Sequence, residues 1–88
     1  MSYEVLTTGR VEKAIARLPD EAYQRMNAAI DALANDPRPP GTMKLRGRDA
    51  YRIRVGDWRA IYRVDDQQQR VEVVQVAHRR DVYRDRGK

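Results

Sequence analysis

Cysteine is absent from this 88-residue chain, which excludes a disulfide framework and a cysteine-based zinc site and agrees with a reducing cytoplasm. Histidine occurs once, at His78, too few for a histidine metal cluster, so neither a metal nor any other cofactor is expected. Gly9, Gly41, Gly47, Gly56 and Gly87 stand alone, whereas a loop that cradles phosphates needs its glycines grouped. Long apolar runs are missing too. The longest are three residues, such as Ala28-Ala29-Ile30 and Ala32-Leu33-Ala34, too short for a membrane-spanning helix or the core of a secretory signal. With a start, Met1 to Val5, that reads as a mature cytosolic N-terminus, a cytoplasmic location without a membrane partner is expected. The length leaves room for one domain, residues 1–88. A domain of this size buries only roughly 60–65% of its unfolded surface, so it gains from a partner that covers what it leaves open.

What is present in excess is positive charge, and it is concentrated. The net charge is +5, and residues 41–64 alone carry seven basic side chains against two acidic ones, while residues 1–40 sum to −1 and residues 65–88 to +1. Within that quarter of the chain lies Tyr51-Arg-Ile-Arg-Val-Gly-Asp-Trp-Arg-Ala-Ile-Tyr62. Two alternating runs flank Gly56-Asp57, and glycine at the first central position suits a type II′ hairpin turn. If Val55 pairs with Trp58, one face holds Tyr51, Ile53, Val55, Trp58, Ala60 and Tyr62, and the other holds Arg52, Arg54, Arg59, Ile61 and Arg63. The first face calls for a core. The second sets Arg54 opposite Arg59, a like-charge pair that costs a sheet stability and points to an anionic partner. A solubilising face is the plainer reading, but it does not explain why the excess is confined to one segment.

Around this hairpin the chain reads as α+β. Tyr3–Thr8 is β-prone and predicts an edge or flanking strand. Val11, Ala14, Ile15 and Leu18 share one side of a helix from about Gly9 that Pro19 stops. Asp20 and Glu21 suit the start of a second helix, continued by Ala22, Met26, Ala29, Ile30 and Leu33 until Asn35-Asp36-Pro37. Together they predict an αα-hairpin covering one face of a mainly antiparallel sheet. Asp36-Pro-Arg-Pro-Pro-Gly41 is a stiff connector. Thr42–Gly47 follows, partly ordered on the sheet, and brings Lys44, Arg46 and Arg48 to its edge. Asp65–Arg70 is a polar turn whose paired aspartates cap strands. Val71–Ala77 carries valine on both faces, as a strand covered from two sides does, and so completes a three-strand meander over 51–77 from the sheet's interior. A short charged tail closes the chain, with one helical turn around Val82 and Tyr83.

The residues able to do chemistry are the arginine face together with His78, Arg79, Arg80 and Tyr83 at the exit of the last strand. Such a set suits RNA cleavage without a metal. The ribose 2′-OH must lose its proton, the phosphorane must be stabilised and the 5′-oxygen protonated, and arginines supply the second need through bidentate bonds to phosphate. Arginine is a poor general base because it does not deprotonate in proteins. Tyr51, Trp58 and Tyr62 read as core, with Trp58 near enough to the turn to stack on a base. Tyr83 packed against the sheet edge and His78 as a surface hydrogen-bonding residue are the structural alternatives.

The order of strand, two helices, Lys44-Leu-Arg-Gly47, Tyr51-Arg-Ile-Arg-Val55, Trp58-Arg-Ala-Ile-Tyr62, valine-rich strand and Ala77-His-Arg-Arg-Asp-Val-Tyr83 resembles the RelE/ParE superfamily of bacterial type II toxins. The resemblance covers nearly the whole chain and implies a RelE-like fold. By similarity to the RelE branch it implies an endoribonuclease that cuts mRNA on the ribosome and is neutralised by a small antitoxin, in a toxin–antitoxin hetero-oligomer. There the positions of Arg52, Arg54, Arg59, Arg79 and Tyr83 line the active site. Arginine stands at 52 and 54 where the best-known pattern has lysine, so Tyr83 takes the base role, its pKa drawn down from about 10 by neighbouring arginines. His78 is the rival, an imidazole being suited to proton transfer near neutral pH. Arg59 and Arg79 would hold the scissile phosphate, Arg52 and Arg54 its neighbours, and Lys44, Arg46, Arg48 and Arg80 would extend the RNA-binding surface. A ParE-like gyrase inhibitor is the competing expectation, although that branch generally lacks the arginine-and-tyrosine set; a plain nucleic-acid-binding module is the third.

Overall fold

The structure is a computed structural model and describes residues 2–47 and 49–81. Strand β1 (Glu4–Thr7) leads into α1 (Gly9–Ala16) and α2 (Asp20–Ala32), followed by β2 (Met43–Lys44), β3 (Tyr51–Val55), β4 (Trp58–Asp65) and β5 (Arg70–His78). Thr8 starts α1 by accepting the Val11 N–H on its hydroxyl at 3.1 Å, the usual satisfaction of a free first-turn donor. Pro19 ends it. The next helix begins at once, with Asp20 and Glu21 in its first turn, where negative charge meets the positive end of the helix dipole. None of the helices among the described residues is long and apolar enough to cross a membrane.

The sheet has five strands in the order β1-β5-β4-β3-β2, with β1 parallel to β5 and the other pairs antiparallel. The β3–β4 register pairs Val55 with Trp58, Arg54 with Arg59, Ile53 with Ala60 and Arg52 with Ile61, as the alternation predicts. Gly56 has φ +60°, the positive value that the first central residue of a type II′ turn requires. Both helices lie on the apolar face. Val11, Ile15, Leu18, Met26, Ile30 and Leu33 pack there against Ile53, Val55, Ala60, Tyr62, Val71, Val73 and Val76. Burying these side chains is the main source of stability, each valine, leucine, isoleucine or methionine contributing on the order of 1.5–3 kcal/mol when fully removed from water.

Two features depart from the expected arrangement. β5 is interior with valine on both faces, but three of its four valines share the helix side and only Val74 packs on the other. The ladder shifts between Ile61, opposite Gln75, and Tyr62, opposite Val73, leaving Val74 as an extra residue. This bulge resets the alternation so that Val71, Val73 and Val76 all meet the helices. Second, the arginine face has an apolar patch of its own, in which Leu45, Ala50 and Ile61 are buried with Val74 and Ala77 against them.

Candidate nucleic-acid interface

Because Arg52, Arg54, Arg59 and Arg63 alternate with residues of the helix-side core, the ladder sets all four on the opposite side of the sheet. Their environments differ. Arg54 and Arg63 are exposed, while Arg52 and Arg59 are each only 8% exposed and lie across the ladder from Ile61 and Ala77 of the small apolar patch. Arg59 Nη1 donates to the carbonyls of Gly56 and Trp58, each at 3.0 Å. A guanidinium bonded in this way is fixed before any ligand arrives, which is what electrostatic stabilisation of a developing charge requires.

The exit of β5 lies against the hairpin turn. Arg79 donates its backbone N–H to the Asp57 carbonyl at 2.7 Å, and Arg79 Nε stands 3.9 Å from Asp57 Oδ1. The turn therefore brings Arg79 to the same end of the sheet as Arg54 and Arg59. Arg80 is exposed next to it and donates its backbone N–H to His78 Nδ1 at 3.2 Å.

Other residues expected at the site lie elsewhere. His78 pairs with Trp58 across the ladder, so it faces the helix side, and its ring meets the Trp58 ring edge-on at 5.3 Å. Strand alternation thus separates it from the arginines, and its Nδ1 already accepts a hydrogen bond from the Arg80 N–H. Lys44 pairs with Tyr51 and by register belongs to the helix side as well, whereas Met43, 53% exposed, pairs with Arg52 and borders the arginine face. Arg46 is exposed in the turn after β2. Arg48, Tyr83 and the helical turn expected around Val82 lie outside the described residues.

On the helix side, a polar clamp joins four separate segments that periodicity does not connect. Arg38, in the proline-rich connector, donates through Nη1 and Nη2 to the two Asp66 carboxylate oxygens at 3.2 and 2.9 Å and through Nε to the Tyr51 hydroxyl at 3.1 Å. Tyr3 donates to Asp66 Oδ1 at 2.7 Å. Asp66 is thereby held below the usual carboxylate range, first by Arg38 and then by Tyr3. Tyr51 stacks on Tyr62 with ring centres 5.8 Å apart, and the Tyr62 hydroxyl donates to the Pro37 carbonyl at 2.8 Å. Burial pushes the Tyr62 phenol up from its ordinary value. The clamp fixes the connector, and with it the start of β2 and β3.

Comparison with known proteins agrees with this frame. The family described as "ParE toxin of type II toxin-antitoxin system, parDE" matches residues 5–83. Toxin RelE of Mycobacterium tuberculosis (strain ATCC 25618 / H37Rv) is 30% identical over 84 residues, covering 93% of this chain and 87% of that protein. A chain of the archaeal RelE-RelB complex from Pyrococcus horikoshii OT3 superposes with a TM-score of 0.81 at 33% identity, over 90% of this chain and 97% of that one. A mutant of E. coli toxin RelE in complex with an antitoxin RelBc peptide gives a TM-score of 0.75 at 27% identity, over 100% and 97%. A family match running from β1 past β5, on a sheet and helix pair shared with RelE proteins, makes this chain a member of the RelE/ParE family of toxins from type II toxin–antitoxin systems.

Proposed function

We propose that this toxin is an endoribonuclease that cuts messenger RNA on the ribosome and is held inactive by a cognate antitoxin. The observation that carries the reading is the ladder register that puts Arg52, Arg54 and Arg59 on one face, with Arg79 tied to the turn at its end. In the reaction, the 2′-hydroxyl gives its proton to a base and O2′ attacks the adjacent phosphorus. The P–O5′ bond breaks, O5′ takes a proton from solvent water, and the products are a 2′,3′-cyclic phosphate and a 5′-hydroxyl. Arg59 and Arg79 hold the phosphate as charge builds on its oxygens, and Arg52 and Arg54 grip the flanking backbone. Tyr83 serves as the base, since arginine does not deprotonate. His78, on the far face, positions the strand exit and stays out of the proton transfer.

The antitoxin covers the arginine face with an acidic segment and fills apolar surface beside it. A groove of about 280 Å³ lined by Ala29, Ala32, Pro39, Pro40 and Ile53 opens next to Arg54 and suits an amphipathic stretch. Activity on translating mRNA sets the toxin in the cytoplasm.

A translating extract given the purified toxin, with mRNA 5′ ends mapped, tests the reading: new ends should appear within coding sequence. The description of the matching family favours a second reading, inhibition of DNA gyrase by a ParE-like toxin. Intact mRNA together with halted gyrase supercoiling would replace the first reading with the second. For the antitoxin, binding that ignores both salt and the loss of Arg52 and Arg54 would move the contact elsewhere.

A further inference from the structure

The β3–β4 turn holds two arginines through consecutive residues. Arg59 Nη1 bonds the Gly56 and Trp58 carbonyls, and between those carbonyls Asp57 takes the Arg79 N–H on its own at 2.7 Å. The Asp57 carboxylate adds the contact to Arg79 Nε at 3.9 Å. Arg79 follows directly on the last ladder pair, Trp58 with His78, so the Asp57 tie is what keeps the chain on the sheet edge at that point.

Asp57 is also the only acidic residue between Ala50 and Val64. Within a phosphate-binding stretch a carboxylate works against affinity, because it repels the RNA backbone and offsets a cation. The turn itself does not need it, since Gly-Asn and Gly-Ser form the same two-residue turn. An ion pair as exposed as this one, with side chains 57% and 69% accessible, adds little to stability. What the carboxylate does supply, 3.9 Å from Nε and so without a hydrogen bond, is an attraction that favours the guanidinium on its side. A contact through Nε leaves the Nη1 and Nη2 edge of the fork for a phosphate.

We propose that Asp57 is a positioning residue that aims the Arg79 guanidinium at the phosphate held by Arg59. The proposal rests on the ribonuclease reading above and adds to it a residue that never touches RNA.

The test is Asp57→Asn, which keeps the turn and the backbone carbonyl and removes the charge, assayed on a short mRNA programmed on ribosomes. The expected result is a kcat lower by about tenfold, as small misplacements of a catalytic group produce, with KM unchanged or lower and Tm unchanged. In an Arg79→Ala background the same substitution should change kcat no further, and Asp57→Glu should restore part of the loss in the wild-type background. An unchanged kcat, an equal loss in the Arg79→Ala background, or a fall in Tm that accounts for the lost activity would each overturn the proposal. Absence of cleavage by the wild type would overturn the ribonuclease reading and this inference together, whereas full cleavage by both wild type and Asp57→Asn would overturn the inference alone.

Discussion

Replacing Tyr62 with phenylalanine takes a single oxygen out of the helix-side clamp and leaves the ring that packs on Tyr51. That oxygen donates to the Pro37 carbonyl at 2.8 Å and lies 3.3 Å from Thr42 Oγ1, so its loss strands a partly buried acceptor at the connector. A net hydrogen bond of this kind contributes about 1 kcal/mol, and an acceptor left unsatisfied raises the cost to about 2 kcal/mol. For a domain of this length, each kcal/mol moves Tm by about 4–8 °C, so Tyr62→Phe should melt about 5–15 °C lower, read by circular dichroism. Cleavage at 25 °C should be unchanged, because the clamp and the arginines lie on opposite faces of the sheet. The gap in Tm should also depend on alkali. Burial raises the folded-state pKa of Tyr62, so its stabilising contribution is complete below the unfolded value of about 10 and is lost as pH rises through the higher folded value. The two proteins should therefore converge above about pH 10. A Tm within about 2 °C of the wild type at neutral pH would refute the energetic argument, and lost cleavage with an intact fold would refute the independence of the two faces.

Arg59→Ala and Arg79→Ala should each lower the cleavage rate by about a hundredfold or more, as removal of one charge-stabilising donor does, while both proteins still fold cooperatively; parallel losses of Tm and activity would assign these side chains to structure instead. Asp66 sits below its ordinary pKa because of Arg38 and then Tyr3, so its contribution is present above the unfolded value of about 4 and fades as pH falls through the lower folded value. Denaturant midpoints of Asp66→Asn should accordingly vary less with acid than those of the wild type. Gln69 adopts φ +53° in the β4–β5 turn, a conformation that costs a side-chain-bearing residue, so Gln69→Gly should gain about 0.5–1 kcal/mol in urea unfolding after the entropy of the freer unfolded chain is counted.

The hairpin was readable from sequence because its alternation is strict and its turn carries the residue that the geometry demands, and two such constraints leave one register. The helices were readable for a similar reason, since Val11 to Leu33 repeats at helical spacing between Thr8 and Asn35. The bulge at Val74 was not: a local pattern of valines does not reveal that a strand will take in an extra residue to keep its face on the helices. Nor does spacing reveal the Arg38–Asp66 clamp, whose members meet only after the sheet has assembled. Of the expected site, Arg52, Arg54 and Arg59 follow from alternation alone, and Arg79 from the closeness of adjacent strand ends. Lys44 is expected there from its place beside the hairpin and His78 from its imidazole, but strand parity puts both on the other side.

The pairing of Glu4 with Arg70 and Thr7 with Val73 joins the first strand to the last. Non-local contacts of this kind delay folding until the later segment is present. During its own synthesis the nascent chain therefore cannot close its sheet before β5 has emerged, by which time the hairpin platform is already made. The five-stranded sheet is thus complete only once its last strand has been made.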